Sequence, residues 1–170
     1  MTAALSLERV TCTFSGARGR YTAVRDASLD VAAGEFVSVV GPTGCGKSTL
    51  LNVGAGLLAP SAGEVYVHGV PLQGINPRAG YMFQAEALMP WRNALRNVMA
   101  GLEFRGVASG EAQSRARVWL ARVGLSGFED RYPHQLSGGM RKRVALAQTL
   151  ILDPEIVLMD EPFSALDVQT

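Results

Sequence analysis

A glycine-rich loop between two apolar runs constrains the fold of this chain more than any other stretch. Residues 41–49 fit the pattern G-x-x-x-x-G-K-[ST]. The β-branched apolar run at 35–40 predicts a buried strand, and the leucine-rich run that begins at Lys47 predicts a helix. Glycines allow positive φ and close approach of backbone N–H groups, and a helix N-terminus favours negative charge. The order strand, loop, helix therefore predicts an α/β fold that holds phosphate groups.

The residue types of this loop assign individual contacts to a nucleotide. Lys47 supplies a positive charge for the phosphates, and the hydroxyl of Ser48 can hold Mg²⁺. The predicted nucleotide-binding residues of the loop are Gly41, Pro42, Thr43, Gly44, Cys45, Gly46, Lys47, Ser48 and Thr49.

Composition excludes several other classes of protein. The chain has 170 residues, of which 48% are hydrophobic and 18% charged, as expected for a globular domain with a real core. A formal net charge of +1 gives no basic field for nucleic acid. No apolar run is long enough to span a membrane. The two cysteines, Cys12 and Cys45, lie far apart in the sequence, which favours a reduced, cytosolic setting over a disulfide.

Hydrophobic periodicity predicts the remaining elements. Alternation over 5–14 and 21–31 predicts two antiparallel strands, and further strands are predicted at 64–69, with a half-exposed His68, and at 81–83. The helix from Lys47 is expected to turn its leucines inward as far as Leu58, and to end at 59–63.

From residue 84 to 135 the pattern is helical. One helix is predicted to start within the run 89–93, with Leu95, Val98, Met99 and Leu102 at helical spacing behind it. Ser109 is predicted to cap a second helix that ends at Gly124. A third helix is predicted to open at 136–140, and the apolar run 156–159 is typical of a strand buried on both faces.

Two carboxylates, Asp160 and Glu161, follow that last strand. Their ordinary role would be to cap a loop, but ligands in open α/β sheets bind at the carboxyl ends of the strands. Beside a phosphate loop, Asp160 is expected to lie near Ser48 and help hold Mg²⁺. Glu161 is expected to accept a proton from an attacking water.

Five motifs stand in the order found in ATP-binding cassette (ABC) ATPases, and the chain resembles that family along nearly its whole length. They are the Walker A loop at 41–49, the Q-loop residue Gln84, the signature L-S-G-G-M at 136–140, the Walker B strand with its carboxylates at 156–161, and the D-loop at 164–167 with Asp167. The resemblance implies an ABC-type P-loop NTPase fold: an N-terminal antiparallel β-subdomain, a mostly parallel core sheet and an inserted helical subdomain. The implied boundaries are 1–83 for the β-subdomain and Walker A core, 84–135 for the helical subdomain, and 136–170 for the signature helix, Walker B and D-loop.

The resemblance also implies roles for these residues. ATP and Mg²⁺ would be the ligands, with Lys47, Gln84 and Glu161 catalytic and with Ser48, Gln84 and Asp160 around the metal. Ser137, Gly138 and Gly139 precede a helix and offer a second anion site. A second phosphate site is best explained by a nucleotide held by another copy, and the family indeed forms head-to-tail dimers.

The family usually stacks adenine on an aromatic ring of the N-terminal sheet. Phe14 aligns best because it ends the first predicted strand, and Tyr21 is the runner-up. Either residue could instead belong only to the core or to a sheet edge.

Finer features resemble the ATPases of nitrate, sulfonate and taurine importers. These are residues 80–84 and 88–93, Met140 and the segment 167–170. The resemblance implies a permease docked on the surface near 84–93, at the cytoplasmic face of the inner membrane. The alternative interpretation of Pro90 and Trp91 is a Pro-initiated helix with a packed tryptophan. A soluble ABC-type ATPase and an ATP-binding module without turnover are the competing functional interpretations, and nucleic acid is not an expected partner.

The sequence stops at Thr170, just after the D-loop. Members of the family continue through another strand and a switch histidine, and neither His68 nor His134 can take that place because both precede the Walker B strand. We therefore expect an incomplete cassette that hydrolyses ATP poorly by itself and is at risk of unstable folding.

Overall fold

The computed structural model describes residues 3–16 and 19–162. The chain divides into two compact units, Met1–Ala79 and Gly80–Thr170.

An antiparallel sheet organises the first unit. Strand β1 is Leu5–Gly16, β2 is Gly19–Val31, β3 is Ala62–Val67 and β4 is Val70–Pro71, in the order β2-β1-β3-β4. All three pairings are antiparallel, as the alternating sequence predicted.

An irregularity in β1 reconciles its sequence with one buried face. Leu5, Leu7, Val10 and Cys12 are buried, although Leu7 and Val10 are three positions apart. The register shifts between Leu7 and Val10, and Arg9 has a φ of 48°. The extra residue of such a bulge returns the alternation to the same face.

The predicted strand at 35–40 is wrong for this structure. The segment has no regular secondary structure, and Phe36 is 89% and Val40 88% exposed. Within residues 3–16 and 19–162, neither sheet includes this segment. A β-branched sequence becomes a strand only when its backbone groups find partners, and here they find none in a sheet.

Helix α1 is Lys47–Gly54, and it begins where predicted but is shorter. Gly56 has a φ of 70°, and a Cβ there would lie 1.9 Å from the carbonyl oxygen of Gly74. The chain thus turns out of the helix against the loop at 74–76, where Asn76 N–H donates to Ala55 O over 2.9 Å. Leu57 is consequently 48% exposed rather than inward. His68 likewise lies in a turn, with a φ of 49°, just after β3.

The second unit contains three α-helices among its described residues: α2 (Ala94–Phe104), α3 (Ser109–Arg122) and α4 (Gly138–Leu150). Asn93, the last residue of the predicted helix start at 89–93, caps α2 through its side chain. Ser109 is the first residue of α3 rather than its cap; Ala108 holds the cap position and forms no side-chain cap. The apolar faces of the helices form one core, made of Ala94, Leu95, Val98, Met99, Leu102, Ala112, Ala116, Leu120, Leu125, Leu136, Val144, Ala147 and Ile151.

A two-stranded sheet pairs β5 (Ala79–Met82) with β6 (Ile156–Met159). Ile156 and Leu158 are buried but Val157 is 39% exposed, so the prediction of burial on both faces is wrong for this strand. Gly80 permits close packing at this sheet, because a Cβ there would lie 2.8 Å from Cγ of Pro154.

Candidate nucleotide-binding site

The backbone of the phosphate loop depends on two glycines. Gly44 and Gly46 have φ values of 81° and 101°, a backbone region that residues with a Cβ rarely adopt. A Cβ on Gly46 would also lie 2.5 Å from the carbonyl oxygen of Ala23 in β2. Helix α1 begins directly after Gly46, and no side chain caps its N-terminus. Its first N–H groups therefore lack a side-chain acceptor at the position where an anion can bind.

Lys47 is held by the loop itself. Its Nζ donates to the carbonyl oxygens of Gly41 and Pro42 over 2.8 and 2.9 Å. An ammonium has three protons, so one remains for a phosphate oxygen. The side chain is half-buried and its charge is fixed at the loop, while Ser48 is exposed. Positive-φ glycines, an uncapped helix and a fixed ammonium fit a polyphosphate with its Mg²⁺.

The two candidate adenine residues are neighbours across the hairpin. Phe14 of β1 pairs directly with Tyr21 of β2, and they are 39% and 56% exposed. The hydroxyl of Tyr21 donates to the carbonyl oxygen of Gly44 over 3.4 Å. Tyr21 therefore contacts the phosphate loop directly, a relation that the sequence alone could not show.

In the second unit, two of the predicted catalytic side chains meet. Nε2 of Gln84, just beyond β5, donates to Oε2 of Glu161, just beyond β6, over 2.8 Å. Glu161 has a φ of 48°, so the backbone leaves the extended conformation of β6 at this residue. The ends of two paired strands thus place an amide and a carboxylate in contact.

Asp160 lies at the same end of β6 and is 8% exposed. Its N–H donates to Met82 O over 2.9 Å, which continues the pairing with β5. Burial, together with the negative charge of Asp160, raises the pKa of Tyr81 to about 12. The carboxylate therefore acts electrostatically on the strand that leads to Gln84.

The signature segment forms a capped helix start. Ser137 is the N-cap of α4, and its Oγ accepts the Met140 N–H over 3.2 Å. Gly138 and Gly139 are the first two residues of the helix and are half-buried. The helix N-terminus predicted from this motif is confirmed, and its role toward a second nucleotide stays a prediction.

Two basic residues of α4 contact the segment after β5, and neither was predicted from the sequence. Lys142 is 4% exposed and its Nζ donates to the backbone carbonyl oxygen of Gln84. Nε of Arg141 lies 3.7 Å from Oε2 of Glu86. The available indication was helical spacing: Lys142 shares a face with Ala145 and Thr149, which are both buried.

The predicted site residues are distributed over both compact units. Lys47 and Ser48 belong to the first unit, whereas Gln84, Asp160 and Glu161 belong to the second. The expected approach of Asp160 to Ser48 around Mg²⁺ therefore stays a prediction. Asp167 and the rest of the D-loop lie outside the described residues.

Together the loop and the fold define an α/β protein of the P-loop nucleotide-binding class. A model of the ABC transporter family matches residues 24–164, well over half of the sequence. The chain belongs to the ABC transporter family.

Curated relatives agree with this assignment. An uncharacterized ABC transporter ATP-binding protein of Methanocaldococcus jannaschii is 49% identical over 166 residues, which are 98% of this chain and 62% of that protein. The taurine import ATP-binding protein TauB of Pseudomonas fluorescens is 46% identical over 168 residues, 99% of this chain and 63% of that protein. The chain spans less than two thirds of the length of the curated relatives it matches, from 58% to 65%.

A solved structure shows the same fold. The dimeric post-hydrolysis state of the ATP-binding cassette MJ0796, bound to ADP and Pi, superposes with a TM-score of 0.89 at 35% identity. The match covers 96% of this chain and 76% of that one. Among the helices of the described residues, none combines the length and the apolar character needed to cross a bilayer.

Proposed function

We propose that this chain is the ATP-binding part of a subunit that hydrolyses ATP to power a membrane importer. The phosphate loop with the ammonium of Lys47 fixed at 2.8 Å from Gly41 O carries this proposal. Family membership supports ATP as the nucleotide, since the family model spans this loop.

In this proposal the predicted residues divide the binding and the chemistry among them. The loop N–H groups and Lys47 bind the β- and γ-phosphates, and Phe14 or Tyr21 stacks on adenine. Ser48 and Asp160, together with Gln84, would hold Mg²⁺, which would supply positive charge against the charge that develops on the phosphates. Glu161 accepts a proton from the attacking water. The amide of Gln84 orients Glu161 and the water, as the 2.8 Å contact between Gln84 Nε2 and Glu161 Oε2 suggests.

The finer assignments belong to the same proposal. Subdomains at 1–83, 84–135 and 136–170 would form one cassette, and two cassettes would dimerise head to tail, with Ser137, Gly138 and Gly139 facing the nucleotide of the other copy. The solved dimer of a related cassette supports this arrangement. Attachment at the cytoplasmic face of the inner membrane would follow from the permease.

The surface after Gln84 is the proposed permease contact. Trp91 is 74% exposed there, which favours a partner-facing tryptophan over a packed one. Taurine importer relatives suggest a small sulfonate or nitrate-type solute, and the permease with its binding protein would select it.

ATP binding by the purified chain tests the proposal. Isothermal titration with Mg-ATP is expected to show binding that Lys47→Ala weakens by roughly 100-fold, because charge-assisted hydrogen bonds to the phosphates are lost. The control Arg117→Ala removes one positive charge from the exposed face of α3 and should bind like the wild type. Equal affinity in the Lys47→Ala variant would contradict the proposal.

Turnover is tested separately. Glu161→Gln is expected to lower kcat by about 100-fold or more while ATP binding persists, since a general base is removed. Binding without turnover in the wild type would instead favour an ATP-binding module.

A further inference from the structure

We propose that Lys142 is a positioning residue, which holds the backbone of Gln84 so that its side-chain amide reaches Glu161. The catalytic consequence rests on the proposed ATPase function, but the positioning itself is a property of the second unit alone. Neither family membership nor the predicted roles assign a task to Lys142.

Lys142 is a buried cation with an observed hydrogen-bond acceptor. The side chain lies on the inner face of α4 and the residue is 4% exposed. A buried ammonium is costly unless it is hydrogen-bonded. The acceptor observed is the carbonyl oxygen of Gln84, which lies just beyond the end of β5. A hydrogen bond from a charged donor is about twice as strong as a neutral one, so it fixes this carbonyl firmly.

A second contact fastens the same segment to the same helix. Arg141 approaches Glu86 with an Nε–Oε2 distance of 3.7 Å, and the two side chains are only 35% and 20% exposed. Nη1 of Arg141 also donates to Leu136 O over 2.9 Å, just before the cap of α4. Two consecutive basic residues of α4 thus contact the segment 84–86.

These contacts form a continuous path through one residue. The ammonium of Lys142 fixes the backbone of Gln84, and the side chain of Gln84 donates to Glu161 over 2.8 Å. The hydrogen bond to Gln84 O leaves the Gln84 side chain free for Glu161. The orientation of the amide therefore depends on α4, the helix that the signature residues Ser137 and Gly138 begin.

A double-mutant cycle tests this path in the whole 170-residue chain. Lys142→Met keeps the apolar stem but cannot donate, and we expect kcat for ATP to fall about tenfold, the loss of one charged hydrogen bond. In a Gln84→Ala background, the same change should alter kcat by less than about twofold, because the side chain that Lys142 positions is already gone. KM for ATP should stay within about twofold in both backgrounds, since the phosphate loop is unchanged. Lys142→Arg retains a donor and should recover most of the activity.

Arg143→Met is the matched control. Arg143 neighbours Lys142 on α4, and its Nη1 donates over 3.0 Å to Val123 O, far from Gln84 in sequence. Its loss should lower the melting temperature without changing kcat. Equal kcat losses from Lys142→Met with and without Gln84 would overturn the proposal, because additivity indicates a merely structural role.

A spectroscopic measurement tests whether Lys142 positions the Gln84 side chain, and it does not require ATP hydrolysis. The side-chain amide resonance of Gln84, assigned with Gln84→Ala, is expected to shift toward that of a solvated glutamine in Lys142→Met and to stay unchanged in Arg143→Met. An unchanged resonance in Lys142→Met overturns the proposal. A wild type that binds no Mg-ATP would refute the proposed function, while this resonance would still decide what Lys142 does.

Discussion

Gly46 lies where the phosphate loop meets the sheet, and its backbone excludes other residues. Its φ is 101°, and a Cβ would lie 2.5 Å from Ala23 O and 3.0 Å from Cγ2 of Val24. Gly44 has a φ of 81° but open space where a Cβ would lie. A substitution at Gly44 therefore measures backbone strain alone, without a steric collision.

We expect Gly46→Ala to destabilise the first unit by about 2–3 kcal/mol, because strain and collision add. Gly44→Ala should cost about 1 kcal/mol from strain alone. Gly110→Ala in α3, where a Cβ meets nothing within 4 Å, is the control and should be neutral or stabilising. Urea unfolding of the three variants measures these differences; a Gly46→Ala variant as stable as Gly44→Ala would contradict the collision.

The sequence predicted the glycine turn of the phosphate loop and the start of α1 at Lys47, because the pattern combines backbone freedom with a helix start. It did not predict Lys142. In the run 141–143 all three residues are basic, and the residue type alone does not distinguish a buried lysine from an exposed one. Helical spacing with Ala145 and Thr149 indicates an inner face for Lys142, but only the position of α4 against the segment after β5 shows that its ammonium reaches Gln84 O.

At the scale of elements, Asn97 fixes the approach to α2. It is fully buried, and its Oδ1 accepts from Met89 N–H over 2.7 Å. Its Nδ2 lies within hydrogen-bonding distance of three carbonyl oxygens, those of Met89, Arg92 and Asn93. This network gives the segment carrying the exposed Trp91 a defined shape before any partner binds.

Replacing Asn97 with leucine keeps the volume and removes every one of these hydrogen bonds. We expect Asn97→Leu to lower the free energy of unfolding by about 3 kcal/mol, since buried backbone groups at 89–93 lose their partners. The exposed neighbour Arg96→Leu should change stability by less than about 0.5 kcal/mol. Denaturant unfolding of both variants provides the comparison. Similar stabilities in the two would show that water replaces the Asn97 amide at no cost.

Helices were predicted better than strands because helical hydrogen bonds are local. The start of α2 and its inward residues Leu95, Val98, Met99 and Leu102 are as expected. The segment 35–40 has an equally clear pattern, yet it forms no strand. A strand needs neighbouring strands for its hydrogen bonds, and the sequence of the segment alone does not say whether they are present.

At the scale of the whole molecule, Tyr81 contributes to the response to alkaline pH. Burial first, and then the charge of Asp160, raise the pKa of Tyr81 from 10.0 to about 12. Above pH 10 the unfolded chain loses this proton while the folded chain keeps it. The contribution of Tyr81 to stability is therefore complete below pH 10 and is lost as the pH rises toward 12.

Tyr81→Phe removes the titrating group and keeps the ring. We expect the midpoint of urea unfolding to fall less steeply between pH 10 and 12 in this variant than in the wild type. Below about pH 9 the two proteins should respond to pH alike. Tyr132→Phe serves as the comparison, because Tyr132 is 42% exposed. Parallel curves for wild type and Tyr81→Phe across the alkaline range would contradict the assignment.

The irregular segment at 35–40 has a consequence for how this chain behaves in a test tube. It presents Phe36 and Val40 almost fully to water, in an uncharged β-prone run that follows Glu35. Short runs of this kind template cross-β association between molecules. Protein concentration is therefore expected to affect binding, turnover and unfolding measurements on this chain. Dilution series and light scattering belong beside the titrations, so that self-association is not mistaken for a change in affinity or stability.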